Sequence, residues 1–161
     1  MLDRFNGLAA EAAEEALLAC CAAPAWAARV AASRPYVTEA DLVVAGVNAF
    51  DELAWADLRP ALAAHPRIGH RPDGDGAEAS WSRREQAGVQ GSVSELDEVN
   101  EAYERRFGHL FLIFASGKSA EEVLAAARGR LRNDEETERT VVRGELRKIV
   151  ELRLERLAEA A

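Results

Sequence analysis

The stretch "VVRGELRKIVELRLERL", Val141 to Leu157, decides the fold class. At about 100° per residue, Val142, Leu146, Ile149, Val150 and Leu157 fall on one stripe of a helix. Arginines and glutamates fill most of the other positions, so only that stripe is suited to meet a core. Arg153 is the exception, because it falls near the middle of the stripe. A guanidinium facing a core costs on the order of several kcal/mol unless an anion meets it. An internal salt bridge or a snorkelling stem satisfies that position. A bound carboxylate satisfies it equally well, and the pattern leaves both open.

Outward from this helix, the rest of the chain also reads as helical. Asn6 precedes "GLAAEAAEEALLACCAA", rich in the best helix formers, and has the side chain of an N-cap. Pro24 suits the first turn of a helix carrying Trp26 and Val30 and ending before Pro35. Thr38 and Asp41 have capping-box spacing ahead of "EADLVVAGVNAFDEL". A short helix over roughly 56–64 tolerates Pro60 in its first turns. "SWSRREQAGV" makes about three turns, and Ser94 with Asp97 caps "ELDEVNEAYERRF", which Gly108 stops. Ser119 and Glu122 form another box before "AEEVLAAARGRLR", and Asn133 or Asp134 opens the last helix, to about Ala158. "HLFLIFA" (His109–Ala115) is the only plausible strand, too isolated to build a sheet. There is no internal repeat and no linker. The expectation is an all-α, single-domain bundle over 1–161, with about eight helices, no sheet, and breaks at 65–79 and 108–118.

Composition narrows the function classes. Hydrophobic residues make up 48% and charged residues 30%, ordinary for a globular chain. A formal net charge of −8 argues against nucleic acid or an anionic membrane surface as partner. Apolar runs are too short or too charged to cross a bilayer. The start "MLDRFNGLAAEAAEE" lacks the basic region and cleavage site of a signal peptide, so a cytoplasmic protein is expected. Cys20 and Cys21 are adjacent and poorly placed to bridge each other, which suits small core residues in a reducing compartment.

The candidate chemistry lies in the breaks. In "AAHPRIGHRPDG" (Ala63–Gly74), His65 ends a helix, where the dipole favours a proton on the imidazole. Such a group titrates near neutrality and can act as acid or base, although a lone histidine is more often structural. His65, His70 and His109 lack zincin spacing, so no metal is expected. Ser82, Glu85 and Gln86 share one helix face. On spacing alone a solvated face is the ordinary reading, and Arg83 and Arg84 suit it; the same trio could also hold a small polar ligand. "GKS" (Gly117–Ser119) is no P-loop, because Leu112 stands where that motif needs a glycine. The helix beginning there can still offer N–H groups to an anion.

In order along the chain stand "HPRIG" (65–69), "SRREQAG" (82–88), "NEAYERRFG" (100–108), "FLIFASGKS" (111–119), "RLRND" (130–134) and "ELRKIVELRL" (145–154). With "FN" at Phe5 and "RPY" at Arg34, this series covers nearly the whole chain. It resembles the 2-oxo-4-hydroxy-4-carboxy-5-ureidoimidazoline (OHCU) decarboxylase family, in a bacterial style of the HPRIG motif. The resemblance implies an all-α carboxy-lyase without cofactor or metal, often a homodimer, whose small-molecule partner is OHCU. It would form (S)-allantoin and carbon dioxide in the last of three steps from urate. The same resemblance makes His65 the catalytic histidine, with Glu85 and Gln86 engaging the substrate and Pro66 and Ser82 touching it. It gives the backbone of Leu112, Ile113, Phe114 and Ala115 the ring and ureido group, and Arg153 the anionic side. His109 and Phe114 depart from many members, which leaves room for a related ureide-ring enzyme. A non-catalytic helical interaction protein on the same scaffold is the third class.

Overall fold

The structure is a computed structural model, and it describes residues 2–70, 74–89 and 93–160. Nine helices stand among them: α1 (Leu2–Asn6), α2 (Ala10–Leu18), α3 (Pro24–Ala32), α4 (Glu39–Asp51), α5 (Trp55–Ala64), α6 (Ala77–Glu85), α7 (Val93–Phe107), α8 (Ala120–Arg130) and α9 (Glu135–Ala160). The described residues hold no strand, so the all-α expectation is met. The chain packs as two compact units, one of residues up to Ala61 together with those from Arg147 on, the other Leu62–Leu146. The division falls inside α5 and inside α9.

The first unit contains α1 to α4. Asn6 does not cap α2, because its side chain is committed elsewhere. Its Nδ2 donates to the Tyr36 carbonyl at 2.9 Å, and its Oδ1 accepts from the Tyr36 N–H at 2.9 Å. Asn6 instead closes α1, the helix that the sequence pattern does not disclose, and α2 starts later, after Ala9. The Arg34 guanidinium finishes the lock by donating to the carbonyls of Phe5 and Leu8, at 2.9 Å and 2.8 Å. The "FN" and "RPY" segments are thus two halves of one junction. Pro24 opens α3 as expected, and Trp26 is fully buried with its Nε1–H on the Gly46 carbonyl at 2.8 Å. The Thr38–Asp41 box is formed in both directions, a cap that contributes about 1 kcal/mol. Gly46 lets α4 approach the C-terminal part of α9, since a Cβ there would lie 2.5 Å from Leu154 Cδ1.

The second unit contains α6 to α8 and the first part of α9. Its core joins Ile68, Leu96, Tyr103, Phe111, Ile113 and Val123 with smaller neighbours. Helix α7 begins at Val93, so Ser94 sits inside its first turn and not at its cap. Gly108 ends α7 at φ 78°, its N–H on the Glu104 carbonyl. Ser119 and Glu122 form the box that opens α8, and Asp134, not Asn133, caps α9 by accepting the Thr137 N–H at 2.7 Å. The "HLFLIFA" segment is irregular chain between α7 and α8. A side chain takes the place of a neighbouring strand there: Arg130 Nη1–H donates to the Leu112 carbonyl at 2.7 Å.

Candidate active site

His65 stands one residue beyond α5. Its N–H still reaches the Leu62 carbonyl at 3.2 Å, and Pro66, lacking an N–H, cannot continue the helix. The imidazole is buried, with only 9% of the residue exposed. After it the chain makes a tight turn in which the His70 N–H meets the Arg67 carbonyl at 3.0 Å, with Gly69 at φ 89°. A non-glycine residue is strained at that φ.

Helix α6 places Ser82 and Glu85 one turn apart, and Gln86 caps its end. Ser82 is 3% exposed, and Glu85 and Gln86 are each 6% exposed, so this polar face is not solvated. Buried hydroxyl, carboxylate and amide groups are tolerated only where polar partners meet them. Gln86 shows its partners directly. Its Oε1 accepts the Gly69 N–H at 2.9 Å, and its Nε2 donates to the His70 carbonyl at 3.3 Å. The residue next to Glu85 therefore grips the turn that follows His65.

The third segment joins the same unit. Leu112, Ile113 and Ala115 are buried and Phe114 partly so. The turn after them packs against the end of α6, because a Cβ on Gly88 would stand 2.5 Å from the Lys118 carbonyl oxygen. Behind the segment lies a buried ionic cluster. Glu138, fully buried, accepts from Arg130 Nε at 2.7 Å, Tyr103 Oη at 2.5 Å and Asn133 Nδ2 at 3.0 Å. The Arg130 guanidinium also lies over the Phe111 ring, 4.6 Å from its centroid. Burial, and then the hydrogen bond to Glu138, pushes the Tyr103 hydroxyl well above its ordinary pKa, so it serves as a fixed donor. His109 packs its ring edge-on against Tyr103.

Segments 65–70, 82–88 and 111–118 thus meet in one unit through Gln86 and Gly88. A buried imidazole and a buried carboxylate in one unit are groups with the chemistry to move protons. The family model described as OHCU decarboxylase matches residues 6–155. The chain belongs to the OHCU decarboxylase family.

Relatives agree with that family membership. The chain is 33% identical over 138 residues to the 2-oxo-4-hydroxy-4-carboxy-5-ureidoimidazoline decarboxylase of Amia calva, covering 82% of this chain and 79% of that protein. It is 31% identical over 157 residues to the uric acid degradation bifunctional protein TTL of Arabidopsis thaliana. That match takes in 93% of this chain but 48% of the Arabidopsis protein, so the chain spans about half the length of that relative. A crystal structure of OHCU decarboxylase in the presence of (S)-allantoin superposes with a TM-score of 0.77 at 28% identity, covering 91% of this chain and 98% of that one.

Arg153 belongs to the other unit. It is 1% exposed, as its position in the α9 stripe implies, and its Nη1 donates to the Ala19 carbonyl at 3.1 Å. Cys20 and Cys21 are buried free thiols, and burial pushes both pKa values up, Cys21 to about 12. The Arg153 charge opposes that rise at each thiol. Motif reading alone overlooks Arg130 and Glu138, although "RLRND" contains the first of them. Their signal is a charge at a position packed against aromatic core residues, and it is visible only once Tyr103 and Phe111 are in place.

Proposed function

We propose that this chain decarboxylates OHCU to (S)-allantoin and carbon dioxide, without a cofactor, in urate degradation. One observation carries the reading: a buried histidine at the end of α5 leads into a turn gripped by the neighbour of a buried glutamate. Cleavage of the bond between ring carbon and carboxylate leaves its electron pair on the ring, delocalised into the adjacent C=N system. The ring is therefore its own electron sink. A proton must then add to one face, and that addition sets the handedness of the product.

His65 and Glu85 handle this proton, His65 beside the hydroxyl and carboxylate of the reacting carbon, Glu85 at the ureido and ring N–H groups. Pro66, Ser82 and Gln86 touch the substrate, and the backbone of Leu112 to Ala115 holds its ring and ureido group. Arg153 is assigned from its motif alone, as the cation for the anionic side. The same reading makes OHCU the small-molecule partner, a homodimer the assembly and the cytoplasm the compartment.

The test is purified protein supplied with OHCU freshly generated from urate, following carbon dioxide release and product handedness by circular dichroism. Wild-type protein is expected to speed formation of (S)-allantoin over the uncatalysed decay. His65→Ala and Glu85→Gln should each lose about 100-fold or more, the usual scale of general acid–base catalysis. No acceleration by the wild-type chain overturns the function, and full activity in both variants overturns the assigned roles.

A further inference from the structure

Helix α7 turns one polar face to the chain that follows His65. Asp97, Asn100 and Glu104 are spaced three and four residues apart, which places them on one side of the helix. Each engages a different residue of the turn. Glu104 takes the Arg67 guanidinium through two hydrogen bonds, Nε to Oε1 at 2.9 Å and Nη2 to Oε2 at 2.6 Å. Asn100 Nδ2 donates to the Ile68 carbonyl at 3.1 Å. Asp97 Oδ1 lies 2.5 Å from His70 Nε2. Gly69, the remaining residue, is fixed from the other side by Gln86. Every residue from Arg67 to His70 is therefore held by a side chain from outside the turn.

Asn100 is the informative member. It is 1% exposed, and its Oδ1 is buried with no hydrogen-bond partner among the described residues. An acceptor left in that state destabilises the folded chain. A leucine at the same position would avoid that cost and add to the core made by Leu96, Val99 and Tyr103. What only a polar residue supplies there is the donor to Ile68. Local cost accepted for one contact is the mark of a position serving the site more than the fold.

We propose that Asn100 and Glu104 are positioning residues that set the placement of the His65 imidazole. On the N-terminal side, α5 holds His65 through the Leu62 carbonyl. On the C-terminal side Pro66 leads into the turn, where Gly69 stands at φ 89° and a glycine backbone by itself is free to pivot. The α7 face and Gln86 remove that freedom. Reacting groups need placement within about 0.5 Å, and a shift of about 1 Å can cost about 100-fold in rate. This assignment rests on the reading of His65 as the proton-handling group.

Asn100→Ala and Glu104→Gln in the full chain test it, with two readouts. The first is OHCU turnover split into kcat and KM. The second is the titration of the His65 ring followed by NMR without substrate. Asn100→Ala is expected to lower kcat by about 10-fold or more with KM within about 3-fold, because loosened geometry acts on the reacting step. Glu104→Gln should shift kcat in the same direction by less, and both variants should move the His65 ring resonances. Val123→Ala, which thins the same core and removes no hydrogen bond to the turn, should lower Tm while leaving kcat and the His65 titration unchanged.

The proposal is overturned if both variants keep the wild-type kcat and His65 titration. It is equally overturned if Val123→Ala reproduces the kcat loss at matched Tm. Should Asn100→Ala fail to fold, Glu104→Gln decides alone, since its ion pair is half-exposed. If the wild-type chain shows no OHCU turnover, the functional reading fails, while the His65 titration still decides whether α7 holds the imidazole.

Discussion

Glu138→Gln probes the ionic cluster that backs the Phe111–Ala115 segment. The wild-type carboxylate is fully buried and accepts three hydrogen bonds, from Arg130, Tyr103 and Asn133. Glutamine keeps the volume but loses the charge, and its NH2 must face one of those donors. Arg130, with its side chain 10% exposed, is then left as a buried cation without a counter-ion. Breaking a buried pair from one side costs about 3–5 kcal/mol. The lower end applies here, because Arg130 keeps the Leu112 carbonyl and its stacking on Phe111. At about 2–4 °C per kcal/mol for a chain of this size, a loss of about 3 kcal/mol lowers Tm by roughly 6–12 °C. The assay is thermal melting by circular dichroism at pH 7, with urea unfolding as the independent measure. A paired Glu138→Leu, Arg130→Met variant should recover part of the loss, since it leaves no uncompensated charge. A Tm for Glu138→Gln within about 2 °C of wild type would refute the reasoning.

Two further outcomes follow from the coordinates. The Cys21 thiol, raised by burial to about 12, stays protonated in the folded chain while an unfolded thiol ionises near about 8.5. The folded state thus binds more protons between those values, so its extra stability is fully present below about 8.5 and declines by up to about 1.4 kcal/mol per pH unit as pH rises toward 12. Melts at pH 8 and pH 10.5 should show a fall in Tm that Cys21→Ala reduces; an equal fall in the variant contradicts the burial argument. Gly88→Ala should destabilise, because its Cβ would meet the Lys118 carbonyl oxygen at 2.5 Å, whereas Gly144→Ala in α9 meets nothing within 4 Å and should gain about 0.5–1 kcal/mol. Melting the two variants side by side checks the contrast, and a stabilised Gly88→Ala would count against the close approach.

The local signals in the chain were legible because their partners are neighbours in sequence. Thr38 with Asp41 and Ser119 with Glu122 form their boxes, and Pro24 starts α3. The α9 stripe correctly sends Arg153 inward, since helix periodicity alone sets which face is buried. Where local reading failed, a distant partner had outbid the near one. Asn6 looks like a cap for α2, yet Tyr36, thirty residues away, takes both ends of its amide. Ser82, Glu85 and Gln86 look like a solvated face on spacing, and all three are buried.

The ordered motifs from "HPRIG" to "ELRKIVELRL" therefore determined the fold class and the family from the sequence by itself, and singled out His65 and Glu85 as the candidate pair. Tertiary structure alone decided what holds the turn after His65: Gln86, Asn100 and Glu104 reach it across 16 to 37 residues of chain. A capping bond or an apolar stripe depends on residues within one or two helical turns, which a pattern can register. A buried amide or carboxylate depends on whichever groups the packed chain brings within about 3 Å, and no local pattern encodes that distance.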